Sequence, residues 1–192
     1  MIPNFLSVDV WPVDEEEPYS VLPPGIHDTN LHEIKRALVD DFPHSTTRRK
    51  IYKGFCKLLE EAQRERLSME HWVDGSYVTT KQSPDDIDAV TFLDPVALNS
   101  LSASGKNFVK QRLGGGESTK HTYQTHSFLE LVLPEGHPLY ALSPRRRANW
   151  IKEWGFTRPL KSDEDLTQTA CGHPKGFLRF FSGHVQDYKD DK

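Results

Sequence analysis

The alternation of apolar and polar residues divides the chain into helices and strands of ordinary length. Over residues 30–41, Leu31, Ile34 and Leu38, with Phe42 beyond them, share one side of a helix; Asp28 or Thr29 can cap it and Pro43 ends it. Over residues 47–66, Ile51, Phe55, Leu58, Leu59 and Ala62 form a core-facing stripe behind Ser45 or Thr46 as cap. Residues 70–73 and 86–93 read as strands joined through a tight turn at Gly75-Ser76 and a polar connection. Asp94-Pro95 opens a further helix that runs through Leu101 and, after residues 102–105, through 108–113. Residues 122–133 alternate as a third strand. Tyr123, Thr125, Ser127, Leu129 and Leu131 lie on one face, and Gln124, His126, Phe128, Glu130 and Val132 on the other. Ser143-Pro144 starts a helix over 145–154 with Trp150, Ile151 and Trp154 at core spacing, and residues 175–181 read as a last strand at the sheet edge. Strands interleaved with helices predict an α/β (α+β) class, with a mixed sheet flanked by helices.

What remains is punctuation. Residues 1–27 are irregular: an acidic run at 14–17 is followed by Leu22-Pro23-Pro24-Gly25, which excludes a helix and favours an extended arm over a single domain at 28–186. Gly114-Gly115-Gly116 lacks the ending of a phosphate loop and reads as a mobile loop near the active-site edge. Residues 155–172 form a polar linker. Residues 187–192 resemble a shortened affinity-tag sequence, are expected to be disordered, and are set aside.

Composition narrows the picture modestly. The 192 residues suit one domain with a substantial core, and 36% hydrophobic with 27% charged residues is ordinary globular composition. A net charge of −4 argues against a general polyanion binder, so a nucleic-acid contact would need a local basic patch. Two candidates exist: Arg48, Arg49, Lys50, Lys53 and Lys57, which read either as a solvated basic helix face or as an attractor of triphosphate or nucleic acid, and Arg145-Arg146-Arg147. The three arginines oppose the helix dipole at a helix start, a cost that a phosphate, an RNA backbone or the acidic N-terminal run would relieve. Cys56 and Cys171 have no ligand or disulfide spacing, and no membrane span or signal peptide is evident, so a cytoplasmic protein with no membrane contact is expected.

The candidate chemistry lies between residues 75 and 88. Asp86 and Asp88 alternate on a strand and so point to one face, their Cα atoms about 6.5–7 Å apart. Paired carboxylates repel and lose solvation, and Mg²⁺ (or Mn²⁺) offsets both penalties while bridging to substrate phosphates. Gly75 permits positive φ or close approach, and the Ser76 hydroxyl and adjacent N–H groups can hold a phosphate. Lys81, in the connection, can neutralise β- or γ-phosphate charge or serve as a solvated loop residue.

Gly75-Ser76, a nine-residue spacer and Asp86-Ile87-Asp88 resemble the signature of the DNA polymerase β-like nucleotidyltransferases. Leu22-Pro23-Pro24-Gly25-Ile26-His27, then Asp74-Gly75-Ser76-Tyr77-Val78-Thr79 with Lys81, then Pro174-Lys175-Gly176-Phe177 resemble, in that order, a poorly characterised bacterial family of compact nucleotidyltransferase-fold proteins. The resemblance implies a small mixed sheet flanked by helices, and transfer of a nucleotidyl group from a nucleoside triphosphate with two divalent metals. It implies catalytic Asp86 and Asp88, a third acid from the 122–133 strand, where Glu130 is the only acid, and a nucleotide grip from Gly75, Ser76 and Lys81. The register of the third acid falls closer to His126, which makes His126 a candidate metal ligand beside Asp86 and Asp88 and suits Mn²⁺ better than Mg²⁺.

The expected activity is metal-dependent transfer of a nucleotide to an unidentified acceptor, protein or RNA. A protein partner or homo-oligomer is also compatible. A histidine at the register of the third acid motivates a second expectation: a catalytically weakened nucleotide-binding protein, a regulatory partner in a toxin–antitoxin or phage-defence setting. A tRNA- or RNA-binding module using Arg145–147 and the basic start of the 47–66 helix is a third.

Overall fold

The computed structural model describes residues 1–6, 19–65, 67–157 and 172–182. The acidic run 14–17, the tail 187–192, Cys171 and most of the 155–172 linker lie outside the described residues. In chain order the elements are β1 (Gly25–Asp28), α1 (Leu31–Lys35, prolonged by a π-helical turn Arg36–Asp40), α2 (Arg48–Arg64), β2 (Met69–Asp74), a 3-10 turn Ser76–Val78, β3 (Ile87–Leu93), α3 (Pro95–Ser100), α4 (Ala103–Phe108, prolonged by a π-helical turn Val109–Leu113), α5 (Lys120–Tyr123), β4 (Thr125–Leu131), α6 (Leu142–Trp154) and β5 (Gly176–Ser182). The five strands form one mixed sheet in the order β1-β5-β2-β3-β4. β1 is parallel to β5, β5 and β3 are antiparallel to β2, and β3 is parallel to β4. The mixed sheet and flanking helices are the α+β class expected from the alternation pattern.

Two placements differ from expectation. Residues 25–28 are not only an arm: they form the edge strand, with Gly25 opposite Gly176 and Asp28 opposite Arg179. β5 is therefore interior rather than at the edge. Its own pattern explains why: Phe177 is buried on one face, and Leu178 and Phe180 on the other. The third strand is also shorter than 122–133, because Lys120–Tyr123 winds into α5 and Gln124 takes a left-handed φ of 52° before β4 begins.

Both faces of the sheet are packed. On one, α1 and α2 lay Leu31, Ile34, Leu38, Ile51, Phe55 and Leu59 over Val73, Ile87, Ala89, Leu178 and Phe180. Each such side chain removed from water contributes about 1.5–3 kcal/mol before conformational entropy is subtracted. α3, α4 and Tyr123 extend this layer toward β4 through Leu93, Val109 and Leu113. On the opposite face α6 packs Trp150 and Trp154 against Trp72, Val90, Phe92, Phe128 and Phe177. Asn30, one residue beyond the expected caps, accepts from the Glu33 N–H (2.9 Å) at the start of α1, whereas Asp94 caps α3 through the Val96 N–H as expected (2.8 Å). Ser143 does not cap α6; its hydroxyl is buried and accepts from the Leu133 N–H (2.8 Å).

The arginines at the start of α6 are used inside the fold. Arg147 makes a bidentate pair with Glu70 (2.8 and 2.7 Å) and stacks over Phe92 (4.2 Å to the centroid). Arg146 pairs with Glu130 (2.7 Å). Sheet carboxylates, rather than an external polyanion, thus answer two of the three charges that sequence offered to RNA. Among the described residues no helix is long and apolar enough to cross a membrane.

Candidate active site

The acids lie where β2, β3 and β4 end together. Antiparallel pairing puts Asp74 opposite Asp88, and parallel pairing puts Asp88 opposite His126, so these three share one face at one end of the sheet. Asp86 falls one residue before β3, and both it and Asp88 line one cleft of about 740 Å³, within the range of small-molecule sites. Gly75, Ser76, Lys81, Lys120 and Lys175 line it too, and Phe128, Trp150 and Trp154 form an aromatic wall.

The Gly75 turn is shaped for Asp88. Gly75 has φ +86°, and a Cβ added there would overlap the Asp88 Oδ2 oxygen. Both the backbone and the close approach require glycine. Gly75→Ala is expected to cost about 1–3 kcal/mol, lowering Tm by several degrees in thermal unfolding, while Ser76→Ala leaves Tm unchanged. Equal Tm values for Gly75→Ala and wild type would refute the close approach.

The loop after the turn is anchored by Arg48. This side chain is fully buried, although sequence placed it on a solvated basic face. Its guanidinium donates to the carbonyls of Leu38 (3.1 Å), Tyr77 (2.7 Å), Thr79 (2.6 Å) and Lys81 (2.7 Å). Burial pulls its pKa down to about 10, so it stays charged at neutral pH. The signal was present: Arg48 stands three residues before Ile51, one turn back along the apolar stripe of α2. On the other side of the loop the N-terminal arm pairs Val21 with Thr79.

Each acid meets a basic side chain. Lys120 Nζ is 2.8 Å from Asp86 Oδ2 and 3.0 Å from Glu117 Oε2. Burial alone would lower the Lys120 pKa, but the two carboxylates hold it above its ordinary value. His126 Nδ1 is 3.2 Å from Asp88 Oδ1. Burial, then the neighbouring Asp86 charge, push the Asp88 carboxyl up, with His126 and Lys120 opposing. Behind them Asp74 is buried against the Lys175 ammonium.

Burial raises the Asp74 pKa from 3.8 to about 6 despite Lys175. A raised carboxyl contributes stability that is fully present below its unfolded pKa and is lost as pH rises through the folded value. Stability should therefore fall by about 2–3 kcal/mol between pH 4 and 6 from this group, and Asp88 acts in the same direction. Urea unfolding across that range is expected to show the slope in wild type and to lose most of it in Asp74→Asn with Lys175→Gln. An unchanged slope in the double variant would overturn the assignment to Asp74.

Of the residues singled out in the sequence, Gly75, Ser76, Lys81, Asp86, Asp88 and His126 converge on this cleft. Glu130 does not. It stands opposite Phe92, four residues along β4 from His126, about 13 Å away at 3.3 Å per residue, and is held by Arg146 and the Trp150 indole N–H (3.2 Å). The expectation that Glu130 completes the acid set is corrected by this geometry. Gly116 lies beside His126. Sequence reasoning missed Lys120 and the Asp74–Lys175 pair as site elements, although Asp74 and Lys175 both fall inside motifs it had noticed.

Among the described residues no three His, Cys, Asp or Glu side chains already converge as a metal site. The donors fit a divalent ion in a narrower sense. Asp86 and Asp88 offer hard oxygens, and the raised Asp88 pKa marks a negative charge that a cation would stabilise. Mg²⁺ is commonly held by one or two carboxylates, its remaining positions filled by water and substrate phosphates.

No curated protein and no solved structure matches the chain. A family of unknown function, DUF6932, matches it over residues 15–180, and the chain belongs to that family.

Proposed function

We propose that the chain is a divalent-metal-dependent nucleotidyltransferase, moving a nucleoside monophosphate unit from a nucleoside triphosphate to an acceptor hydroxyl on protein or RNA. The observation that carries this reading is the Asp86–Asp88 pair at the mouth of β3 with the Gly75-Ser76 turn laid against Asp88. In the transfer the acceptor oxygen bonds to the α-phosphorus, the bond to the β-phosphate oxygen breaks, and pyrophosphate leaves. Mg²⁺ or Mn²⁺, when bound, supplies neutralisation of the triphosphate charge. Asp86 and Asp88 would hold the ion, and Ser76 and the turn would grip the outer phosphates, with Lys81 and Lys120 adding positive charge along the same cleft. With both acids given to the ion, the hydroxyl proton passes to the His126 imidazole, which faces Asp88 across the strands.

A second reading is favoured by His126, which stands on β4 opposite Asp88 where the nucleotidyltransferase pattern wants an acid. On that reading the protein binds nucleotide and has little chemistry, acting as a regulatory partner.

One experiment separates the two. The protein is incubated with each nucleoside triphosphate labelled at the α-phosphate, Mg²⁺ or Mn²⁺, and protein and RNA fractions. Metal-dependent label transfer that EDTA abolishes supports the first reading. Calorimetric binding of triphosphate with metal but no transfer supports the second. Neither binding nor transfer rejects both.

A further inference from the structure

β4 is an edge strand, and its outer side is covered along only part of its length. Strand backbone groups point alternately to the two sides. Ser127 turns outward: its N–H donates to Thr119 Oγ1 (3.3 Å) and its carbonyl accepts from the Gly116 N–H (2.8 Å). Val132, of the opposite parity, donates inward to the Leu93 carbonyl (2.9 Å). Leu129 therefore also turns its N–H and carbonyl outward, and among the described residues neither has a backbone partner there.

That open edge faces a second cleft of about 640 Å³. Phe128 and Trp150 stand on one side, ring centroids 5.0 Å apart, and Leu98 and Val109 on the other. Lys106 and Lys110, one helical turn apart, line it with exposed side chains, and neither has a carboxylate partner among the described residues. Glu130 also lines it, but Arg146 already neutralises that charge. Phe128 and Trp150 line the acid cleft as well, so the two clefts share an aromatic wall.

We propose that this second cleft binds a free nucleoside monophosphate. One molecule must present a flat ring to Phe128 and Trp150, an adjacent donor and acceptor to Leu129, and an anion to Lys106 and Lys110. A nucleobase on a phosphorylated ribose does all three, and stacking on aromatic side chains tolerates any base because every base has a π-face. An extended peptide could pair with the edge but would give the lysines and the rings nothing specific. An apolar molecule would bury the Leu129 N–H and carbonyl unpaired, which is costly. Binding here uses neither Asp86 nor Asp88 and needs no divalent ion, so it stands whether or not the acid cleft transfers nucleotides.

The test is calorimetric titration of the full chain in EDTA with AMP, GMP, CMP and UMP, followed in parallel by tryptophan fluorescence. At least one monophosphate is expected to bind saturably. The Lys106→Ala, Lys110→Ala variant should weaken that binding about tenfold or more, as loss of two charge-assisted contacts implies, and ribose 5-phosphate should bind much more weakly than the nucleotide. Asp86→Asn with Asp88→Asn should leave the affinity unchanged. Both lysines are exposed, so their variant is expected to fold, and a Tm equal to wild type verifies it. The proposal is overturned by absence of saturable binding for all four, by indifference to the lysine substitutions, or by equal affinity for ribose 5-phosphate. It is also overturned if the aspartate variant abolishes binding, which would place the nucleotide in the acid cleft, or if affinity rises with oligonucleotide length, which would indicate RNA.

Discussion

Asp86→Asn combined with Asp88→Asn is expected to abolish metal-dependent label transfer, by about 10³-fold or more, while the protein stays folded. The loss follows from the proposed role of the pair. An amide keeps the shape of a carboxylate but offers no charge to a divalent ion, and alignment with charge neutralisation makes up most of the catalysis in such displacements. The stability effect runs the other way. Asp88 is held partly out of water beside Asp86, and its carboxyl is pushed up by that burial and that neighbour. At neutral pH the native state therefore holds a charge it disfavours. Asp88→Asn alone should therefore raise stability, read as a Tm above wild type in thermal unfolding. Asp86→Asn costs little, because Lys120 retains Glu117 (3.0 Å). A gain in stability with a loss of transfer is a signature that a merely structural role for these acids does not produce. Undiminished transfer in the double variant would end the nucleotidyltransferase reading, and a Tm drop in Asp88→Asn would show that the acid pair is not electrostatically strained.

The parts of this site that were legible in the sequence are those fixed by local periodicity. The Asp-x-Asp alternation puts Asp88 beside Ile87 pointing the other way, and Gly75-Ser76 after an apolar strand is a turn wherever it occurs. Alternation also placed His126, Phe128 and Glu130 on one face, and the structure keeps them there. What alternation does not carry is distance along the strand or the register between strands. Glu130 shares the face of His126 but lies two side-chain repeats farther along, where Arg146 and Trp150 take it. Asp74 joins the site only because antiparallel pairing sets it opposite Asp88 and because β5, distant in sequence, brings Lys175 to it. The edge position of β1 was hidden for a related reason. Gly25-Ile26-His27-Asp28 has one apolar residue in four, and only pairing with Phe177 and Leu178 makes it a strand.

Arg48→Ala is the stability change with the largest expected effect, and it also tests whether the phosphate grip proposed for the Gly75-Ser76 turn depends on the loop behind it. The wild-type guanidinium sits under Phe42, 3.9 Å from the ring centroid, and supplies donors to four carbonyls on two segments, Leu38 on one and Tyr77, Thr79 and Lys81 on the other. Alanine leaves those carbonyls without that donor and opens a cavity the size of most of an arginine side chain. Losses of this kind cost about 3–5 kcal/mol, a Tm decrease of about 10 °C or more for a chain of this length. Lysine restores the charge but has no planar fork, so it can reach one or two of the carbonyls, and Arg48→Lys should recover less than half of the loss. The consequence for function follows from position. Ser76 and Lys81 flank the segment that Arg48 holds, so an Arg48→Lys protein that is still folded at the assay temperature should bind triphosphate about tenfold more weakly, with faster amide exchange across residues 77–81. Wild-type Tm in Arg48→Ala would mean that these bonds contribute nothing net. Weakened folding in Arg48→Lys with unchanged nucleotide affinity would separate the loop from the grip, and leave the Gly75 turn and Asp88 as the whole of it.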